Sequence, residues 1–453
     1  MIVNVAGAGA GKTTKMADIL LSQDIPEGKV VFCIAFTNAA TDNIREKVAR
    51  ETGSIPWNIR ISTIHSFLYQ ELIEPYFFFL YGKQYKRLST INLPANSTFK
   101  AAKLSELDSD DTLHITKIPE KAKWVAYKKS TDNKQKKDIR KKIVSNFSSY
   151  CAAIYVDEAQ DISEDISIIL HALEDAGIDI ILYGDPKQDV KGFDCFRNII
   201  SETDRVKYIA ECFRCPQMHL DLSNTLANDN EKQVADSENA NGSLDVVFET
   251  DVDDIAEYIN TNNYELCYIS QKQKRFYTHG LKGIDTRFET LRFEVYRAMN
   301  DKWNGLKTEI EIKRVAFFIT ERMLEEFDRT GDAGKQISRY LKAGAFNELS
   351  KKRYAQMSSA FSIKENDSSD SVIVSSIEII KGLEAEKCLF ILTPDLAPYL
   401  FGTKTEDNKM RHLLYVALTR SKDLLTIFIT KEVETAFSRD AITDFFSKYL
   451  THH

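Results

Sequence analysis

The chain of 453 residues lacks any apolar run that could span a bilayer. Its longest, such as Pro75 to Tyr81 and Cys388 to Leu392, fall far short of the roughly 20 residues required. It also lacks a basic segment followed by a long apolar stretch at its start. Met1 to Lys15 runs straight into glycine-rich sequence, so secretion is not expected and a cytoplasmic location is. Cysteine is sparse and odd in number: the seven, Cys33, Cys151, Cys195, Cys212, Cys215, Cys267 and Cys388, fit a reducing compartment rather than a disulfide framework. Cys212 and Cys215 have C-x-x-C spacing, but no second Cys/His pair lies near to complete a tetrahedral zinc site. Positive charge is not in excess either. With 60 Lys+Arg against 67 Asp+Glu, the net charge of -7 excludes a wholly basic coat or tail protein, and any polyanion must be bound locally.

What is present is material for real cores: 43% hydrophobic and 28% charged residues describe an ordinary soluble protein, and the length suggests about three domains. Short β-branched and aromatic runs recur at Ile2 to Val5, Val30 to Phe36, Ile59 to Thr63, Ala153 to Val156, Ile178 to Tyr183 and Val206 to Ile209. A second set follows at Asp245 to Phe248, Leu266 to Ile269, Val372 to Ser376, Cys388 to Leu392 and Leu424 to Ile429. Helical patterns between them predict two α/β cores built on parallel sheets. Two excursions break the rhythm. Between Gly82 and Ser145 strand signal is weak, and Lys117 to Lys142 holds eleven Lys/Arg against Glu120, Asp132 and Asp138. This is either a solvated charged helix or an insertion contacting nucleic acid, with Trp124 and Tyr127 as stacking faces. The second excursion, Lys272 to Asp367, reads as helical from Phe288 to Leu349 and turns polar at Lys364 to Asp370.

Three segments carry nucleotide chemistry. Ala6 to Thr13, with Gly7, Gly9, Gly11 and Lys12, follows a strand and opens a helix, which is the setting of a P-loop. Glycines let backbone N–H groups face a phosphate; Lys12 would reach the β and γ phosphates of ATP, and the Thr13 hydroxyl would hold Mg2+. Ile154 to Val156 leads into Asp157 and Glu158, where Asp157 can share that metal and Glu158 can polarise water. Gly184 to Gln188 follows a third strand, and the Gln188 amide can bond a γ phosphate or its attacking water. Arg214 and Arg420, from the second core, could supply charge to the transition state.

In this order, these segments resemble superfamily 1 helicases of the UvrD/Rep/PcrA type. The likeness runs through Phe36-Thr37-Asn38 with Arg45, Thr63 to Ser66, Asp157 to Asp161, Gly184 to Gln188 with Gly192-Phe193, Phe213-Arg214, Lys381 to Glu384 and Leu414 to Arg420. It implies two RecA-like P-loop NTPase domains, each interrupted by a mainly helical insertion, with ATP and Mg2+ between them. The expected bounds are 1–80 with 146–205, 206–271 with 368–453, and insertions at 81–145 and 272–367. It further implies a 3′ to 5′ translocase or helicase on single-stranded or tailed duplex DNA. Thr37, Asn38, His65, Ser66, Phe193 and Ser376 would meet DNA. Phe213 would lie beside adenine, Glu384 on the ribose, Thr14 and Arg45 near the nucleotide, and Arg214 and Arg420 would be arginine fingers.

Three departures stand out. The resemblance leads one to expect a glutamine-bearing segment ahead of the first strand, which here begins at Ile2; Thr14 stands where an arginine is usual, and Ser376-Ile377-Glu378 replaces Thr/Ser-x-His, so that Glu378 would repel a phosphate. The intervals from His65 to Asp157 and from Arg214 to Lys381 are shorter than in full-length helicases of this type. That compact format resembles the helicase-like B subunit of the bacterial Gabija antiphage system, which keeps open a second role as a nucleotide-gated, DNA-sensing subunit of a partner nuclease.

Overall fold

The structure, a computed structural model, describes residues 1–450 except 95, 238–241, 272–274, 279–285, 304 and 362–371. The polar stretch at 364–370 and the expected boundaries at 272 and 367 lie outside the described residues.

Twelve strands form two parallel six-stranded sheets. The first holds β1 (Ile2–Ala6), β2 (Val30–Ala35), β3 (Ile59–Thr63), β4 (Cys151–Val156), β5 (Asp179–Gly184) and β6 (Val206–Ile209), in the order β3-β2-β4-β5-β1-β6. The second holds β7 (Ser243–Phe248), β8 (Leu266–Ile269), β9 (Phe276–Thr278), β10 (Val372–Ser376), β11 (Ala385–Leu392) and β12 (Ser421–Ile429), in the order β7-β12-β11-β8-β10-β9. The α/β class with two parallel sheets is therefore as expected. All six residues of β2, Val-Val-Phe-Cys-Ile-Ala, are buried, as a strand flanked by others and covered on both faces must be. Burying each large side chain of such a strand is worth about 1.5–3 kcal/mol.

The boundary expected at 205/206 is corrected by pairing. β6 lies alongside β1, with Val3 opposite Val206 and Val5 opposite Tyr208, so the first sheet ends after this strand and not before it. The chain also divides differently from two separate insertions. One compact unit comprises Met1–Lys83, Ile118–Leu281 and Asp370–His453; the other comprises Gln84–Lys117 with Lys282–Ser369. The second unit contains a short parallel pair, Arg87–Ser89 with Thr112–His114, and the helices Thr286–Trp303, Glu309–Thr330 and Ala333–Lys342 expected from the pattern. Its core gathers Leu291, Val295, Met323, Ile337 and Phe361.

The basic segment falls in the first unit, on the helices Ile118–Ala126 and Lys134–Tyr150. Arg140 there is buried with Asp132 and donates through Nε to the Trp124 carbonyl at 3.1 Å. The ammonium groups of Lys121 and Lys129 sit 4.1 and 4.3 Å from the Trp124 ring centroid, and Phe77 stacks on the same ring at 6.5 Å. Trp124 is thus a half-buried tie between these helices, whereas Tyr127 is exposed. Among the described residues no helix is long and apolar enough to cross a membrane, and all seven cysteines are thiols.

The helix Lys409–Leu418 is tied to the loop after β5 through His412, which bonds the Asp189 carbonyl at 2.8 Å and the Asp407 carboxylate at 2.7 Å. Burial would lower the pKa of His412, but these two acceptors outweigh it and raise the pKa. A folded-state value above the unfolded one, near 6.5, gives stability that is full below about pH 6.5 and fades as pH climbs through the raised value. His412→Ala should cost about 1–3 kcal/mol near pH 6. Urea unfolding at pH 6 and pH 9 should show a smaller penalty at the higher pH.

Candidate functional site

β1 ends buried at Ala6, and the turn after it places Gly9 at φ 70° and Gly11 at φ 69°, left-handed values that glycine adopts without strain. Gly11 precedes the helix Lys12–Ser22, whose amino end therefore looks out of the loop. A Cβ on Gly9 would lie 2.4 Å from the Arg214 Cβ, so only glycine permits the segment 211–216 to close on the loop. Phe213 N donates to the Gly9 carbonyl at 2.9 Å, and Cys212 Sγ to the Ala8 carbonyl at 3.2 Å.

The Thr13 hydroxyl donates to Asp157 Oδ2 at 3.2 Å, across 144 positions of sequence. Lys12 Nζ bonds the carbonyls of Ala6 and Gly7, each at 3.1 Å. Asp157 is buried; burial and then the neighbouring Glu158 charge push its carboxyl up to about 6, against the pull of Lys12. Burial pushes Glu158 the same way, yet the charges of Lys12 and Lys381 and a hydrogen bond from Gln160 hold it below the usual carboxylate range. Glu158 also adopts φ 56°, an uncommon left-handed conformation for a residue with a side chain. A hydroxyl and a buried carboxylate at this separation are a hard-oxygen pair suited to Mg2+, which needs few protein ligands. Among the described residues no group of three or more His, Cys, Asp or Glu forms a metal site.

Gln160 links the acids to the next loop: its amide donates to Glu158, and its carbonyl accepts from Asp185 N at 3.0 Å. Gln188 is buried and donates to Asp185 Oδ2 at 2.9 Å, while Lys187 Nζ pairs with Asp185 Oδ1 at 3.0 Å. Gln188 is therefore engaged with its own loop.

The two arginines differ. Arg214 Nε pairs with Glu384 at 2.5 Å, and Nη1 donates to the Thr419 carbonyl at 3.4 Å, with the arginine backbone against Gly9. Arg420 is 1% exposed, and its guanidinium is spent on the Val416 carbonyl, the Leu383 carbonyl and the Thr419 hydroxyl. Burial and the nearby Arg214 charge lower its pKa to about 10. Glu384, expected on a ribose, is held by Arg214 and by Lys422 at 2.9 Å. Arg45 bonds the Ile61 carbonyl at 2.7 Å and Asp42 at 2.8 Å, bracing β3 rather than the loop. Thr14 accepts from Lys47 Nζ at 2.6 Å. The Phe213 ring is 50% exposed and lies where a Cβ on Gly11 would be 3.5 Å away.

The residues expected to meet DNA follow the carboxyl ends of their strands, where parallel sheets present ligand sites. Thr37 caps the helix Asn38–Thr52 by accepting from Ala40 N at 3.1 Å, and Asn38 is exposed. The Thr63 hydroxyl donates to Ser66 Oγ at 2.9 Å. Lys191 Nζ lies 5.6 Å from the Phe36 ring and 5.8 Å from that of Phe193, which is 41% exposed. Burial and the Lys191 charge lower the pKa of His65. Ser376 precedes the short helix Ile377–Ile380 and makes no capping bond. Glu378, expected to repel phosphate, is paired with Lys409.

Sequence patterns did not reveal Gln233, which is buried on the loop: Nε2 donates to the Ala8 carbonyl at 3.0 Å and Oε1 accepts from the Tyr415 hydroxyl at 2.7 Å. That hydroxyl in turn accepts from Ala8 N at 3.3 Å. No glycine, acid or strand-end signal marked the glutamine.

A family model for an AAA domain, AAA_19, matches residues 1–194, the stretch holding the P-loop, Asp157, Glu158, Gln188 and Phe193. No curated protein matches the chain. Among solved structures, arterivirus nonstructural protein 10 (helicase) is similar at 10% identity and TM-score 0.38, over 94% of this chain and 59% of that one. Its complex with DNA gives 10% and 0.37, over 94% and 60%. The PRRSV helicase gives 11% and 0.34, over 94% and 52%. The chain thus spans 52% to 60% of the length of these structures.

Tyr415→Phe strips one hydroxyl from between Ala8 and Gln233 and leaves two buried polar groups unpaired. Chemical denaturation should show a loss of about 1–3 kcal/mol. A change below about 0.5 kcal/mol, typical of a neutral surface substitution, would mean the clamp is not formed in solution.

Proposed function

We propose that the chain is an ATP-dependent translocase or helicase on single-stranded DNA, moving 3′ to 5′. The observation that carries this reading is the Thr13–Asp157 contact, which joins a phosphate loop to a buried acid and its neighbour Glu158. Hydrolysis needs a phosphate cradle, a cation at the γ-phosphoryl group that passes from ADP to water, and a carboxylate to orient that water, and residues here would serve each need.

Lys12 would exchange the Ala6 and Gly7 carbonyls for the β and γ phosphates of ATP. Thr13 and Asp157 would hold Mg2+, which when bound neutralises charge on those phosphates. Glu158, kept ionised by Lys12, Lys381 and Gln160, would orient the attacking water and accept its proton. Arg214 is the guanidinium set against the loop and would supply charge to the transition state; Arg420, buried among carbonyls, would act as a positioning residue for the 383–384 and 416–419 segments. Phe213 would lie against the adenine. Gln160 would report the state of the γ phosphate to the 185–193 loop, where Phe193 would stack on a base with Thr37, Asn38, His65, Ser66 and Ser376 along the same strand.

The test is ATP turnover with and without single-stranded DNA, followed by unwinding of 3′- and 5′-tailed duplexes. Turnover should rise with DNA and fall about 100-fold or more in Lys12→Ala and Glu158→Gln, the usual scale for losing one electrostatic catalytic group. Arg214→Ala should fall similarly while retaining nucleotide binding. DNA-independent turnover that survives both Lys12→Ala and Glu158→Gln would overturn the proposal, and stimulation by RNA alone would reassign the polymer.

A further inference from the structure

Outside the nucleotide site, the second unit encloses a cavity of about 150 Å³ that its two sequence-distant pieces build together. One wall is the extended stretch from Arg87 to Ile91. The other is a single face of the helix Thr286–Trp303, where Arg292 and Tyr296, and likewise Phe293 and Arg297, are four residues apart and so stand one above the other. Lys313, from the helix Glu309–Thr330, closes the rim. The lining therefore carries four cations, Arg87, Arg292, Arg297 and Lys313, against the single carboxylate of Asp110.

These cations are oriented. Arg87 Nη1 donates to the Tyr296 hydroxyl at 3.5 Å and Nη2 to the Asp110 carbonyl at 3.3 Å. The Arg297 guanidinium lies 5.7 Å from the Phe293 ring centroid, Nη1 pairs with Glu106 and is 3.5 Å from Asp110, and Lys313 lies 6.0 Å from the Tyr296 ring. Arg87 and Arg297 thus bond across the two pieces, and Lys103 adds a further tie, buried against Glu294 at 2.5 Å and bonded to Glu106 at 3.5 Å, beside the cavity lining. Partly buried guanidinium groups around a void favour a ligand of opposite charge, and their planar forks match the oxygens of a phosphate. A water needs at least roughly 10–15 Å³ measured in this way, so the cavity takes a compact group of several atoms.

We propose that this cavity is a binding site for a small phosphate-bearing ligand, a phosphomonoester or inorganic phosphate, separate from the P-loop. Arg292 and Lys313 would grip the phosphate oxygens, with Arg87 oriented beside them by Tyr296 and Arg297 by Glu106 and Phe293. The site stands whether or not the chain moves on DNA, since none of its residues belongs to the nucleotide machinery.

Calorimetric titration of the full chain with inorganic phosphate, with AMP and with a short single-stranded oligonucleotide tests it, using the wild type, Lys12→Ala, Arg292→Gln and the exposed Lys313→Gln. Lys12→Ala should keep a saturable site for phosphate or AMP. Arg292→Gln and Lys313→Gln should each weaken that site about tenfold, the scale of one lost charge-assisted hydrogen bond. Preference for AMP over phosphate would identify the organic ester as the ligand, and the reverse would identify the free ion; both support the site. Phosphate binding abolished by Lys12→Ala, or unchanged in both cavity variants, would overturn it, as would binding of the oligonucleotide alone. Because Lys313 is exposed, its variant gives a reading even if Arg292→Gln fails to fold.

Discussion

The closure of residues 211–216 onto the P-loop is the constraint from which the rest of the site follows. Phe213 N reaches the Gly9 carbonyl at 2.9 Å only because Gly9 has no side chain, and the same approach sets Arg214 beside the loop and Cys212 beneath it. Gln233 and Tyr415 continue the contact over Ala8. The loop that carries Lys12 is thus held by four residues from beyond the end of the first sheet. Whatever moves the loop must be felt by segments that pack on the second sheet, among them the buried helix Lys409–Leu418.

The balance of charge at the acids gives two neighbouring carboxylates opposite protonation tendencies. Asp157 and Glu158 are neighbours in a buried site, and two like charges there cannot both be ionised freely. Lys12, Lys381 and the Gln160 amide favour ionised Glu158, while on Asp157 the pull of Lys12, the Glu158 backbone N–H and the Thr13 hydroxyl is outweighed by burial and the Glu158 charge. An ionised Glu158 suits a water-orienting base. Burial and the Glu158 charge raise the Asp157 carboxyl, and a cation beside it would favour its ionised form. Arg420 illustrates the opposite limit: a fully buried guanidinium is satisfied by bonding backbone carbonyls and so fixes the segments that carry them.

Much of the fold was legible because parallel strands covered on both faces read as continuous apolar runs. Eleven of the strands in the two sheets lie at such runs; the one that was not foreseen, Phe276–Thr278, is three residues long and flanked by polar sequence. The Thr13–Asp157 pairing was legible too, since both residues follow strands of one sheet. Position alone did not show how side chains beyond a strand end are used. Arg45 and Glu384 were expected at the nucleotide, and each has a protein partner, the Ile61 carbonyl and Arg214 respectively, that only the fold brings close. Gln233 is an isolated amide with no periodic or motif signal, and the cavity of the second unit joins residues about two hundred positions apart. Lys117 to Lys142 looked like one charged surface, yet Arg140 and Trp124 are internal ties within it.

The central claim is that nucleotide at the P-loop and the arrangement of 211–216 and 412–419 are coupled through Ala8 and Gly9. Amide hydrogen exchange with and without a non-hydrolysable ATP analogue and Mg2+ measures this most directly. The account expects protection to change together in 6–14, 211–216 and 412–419. Protection confined to 6–14, with the other two segments unchanged at saturating analogue, would contradict it.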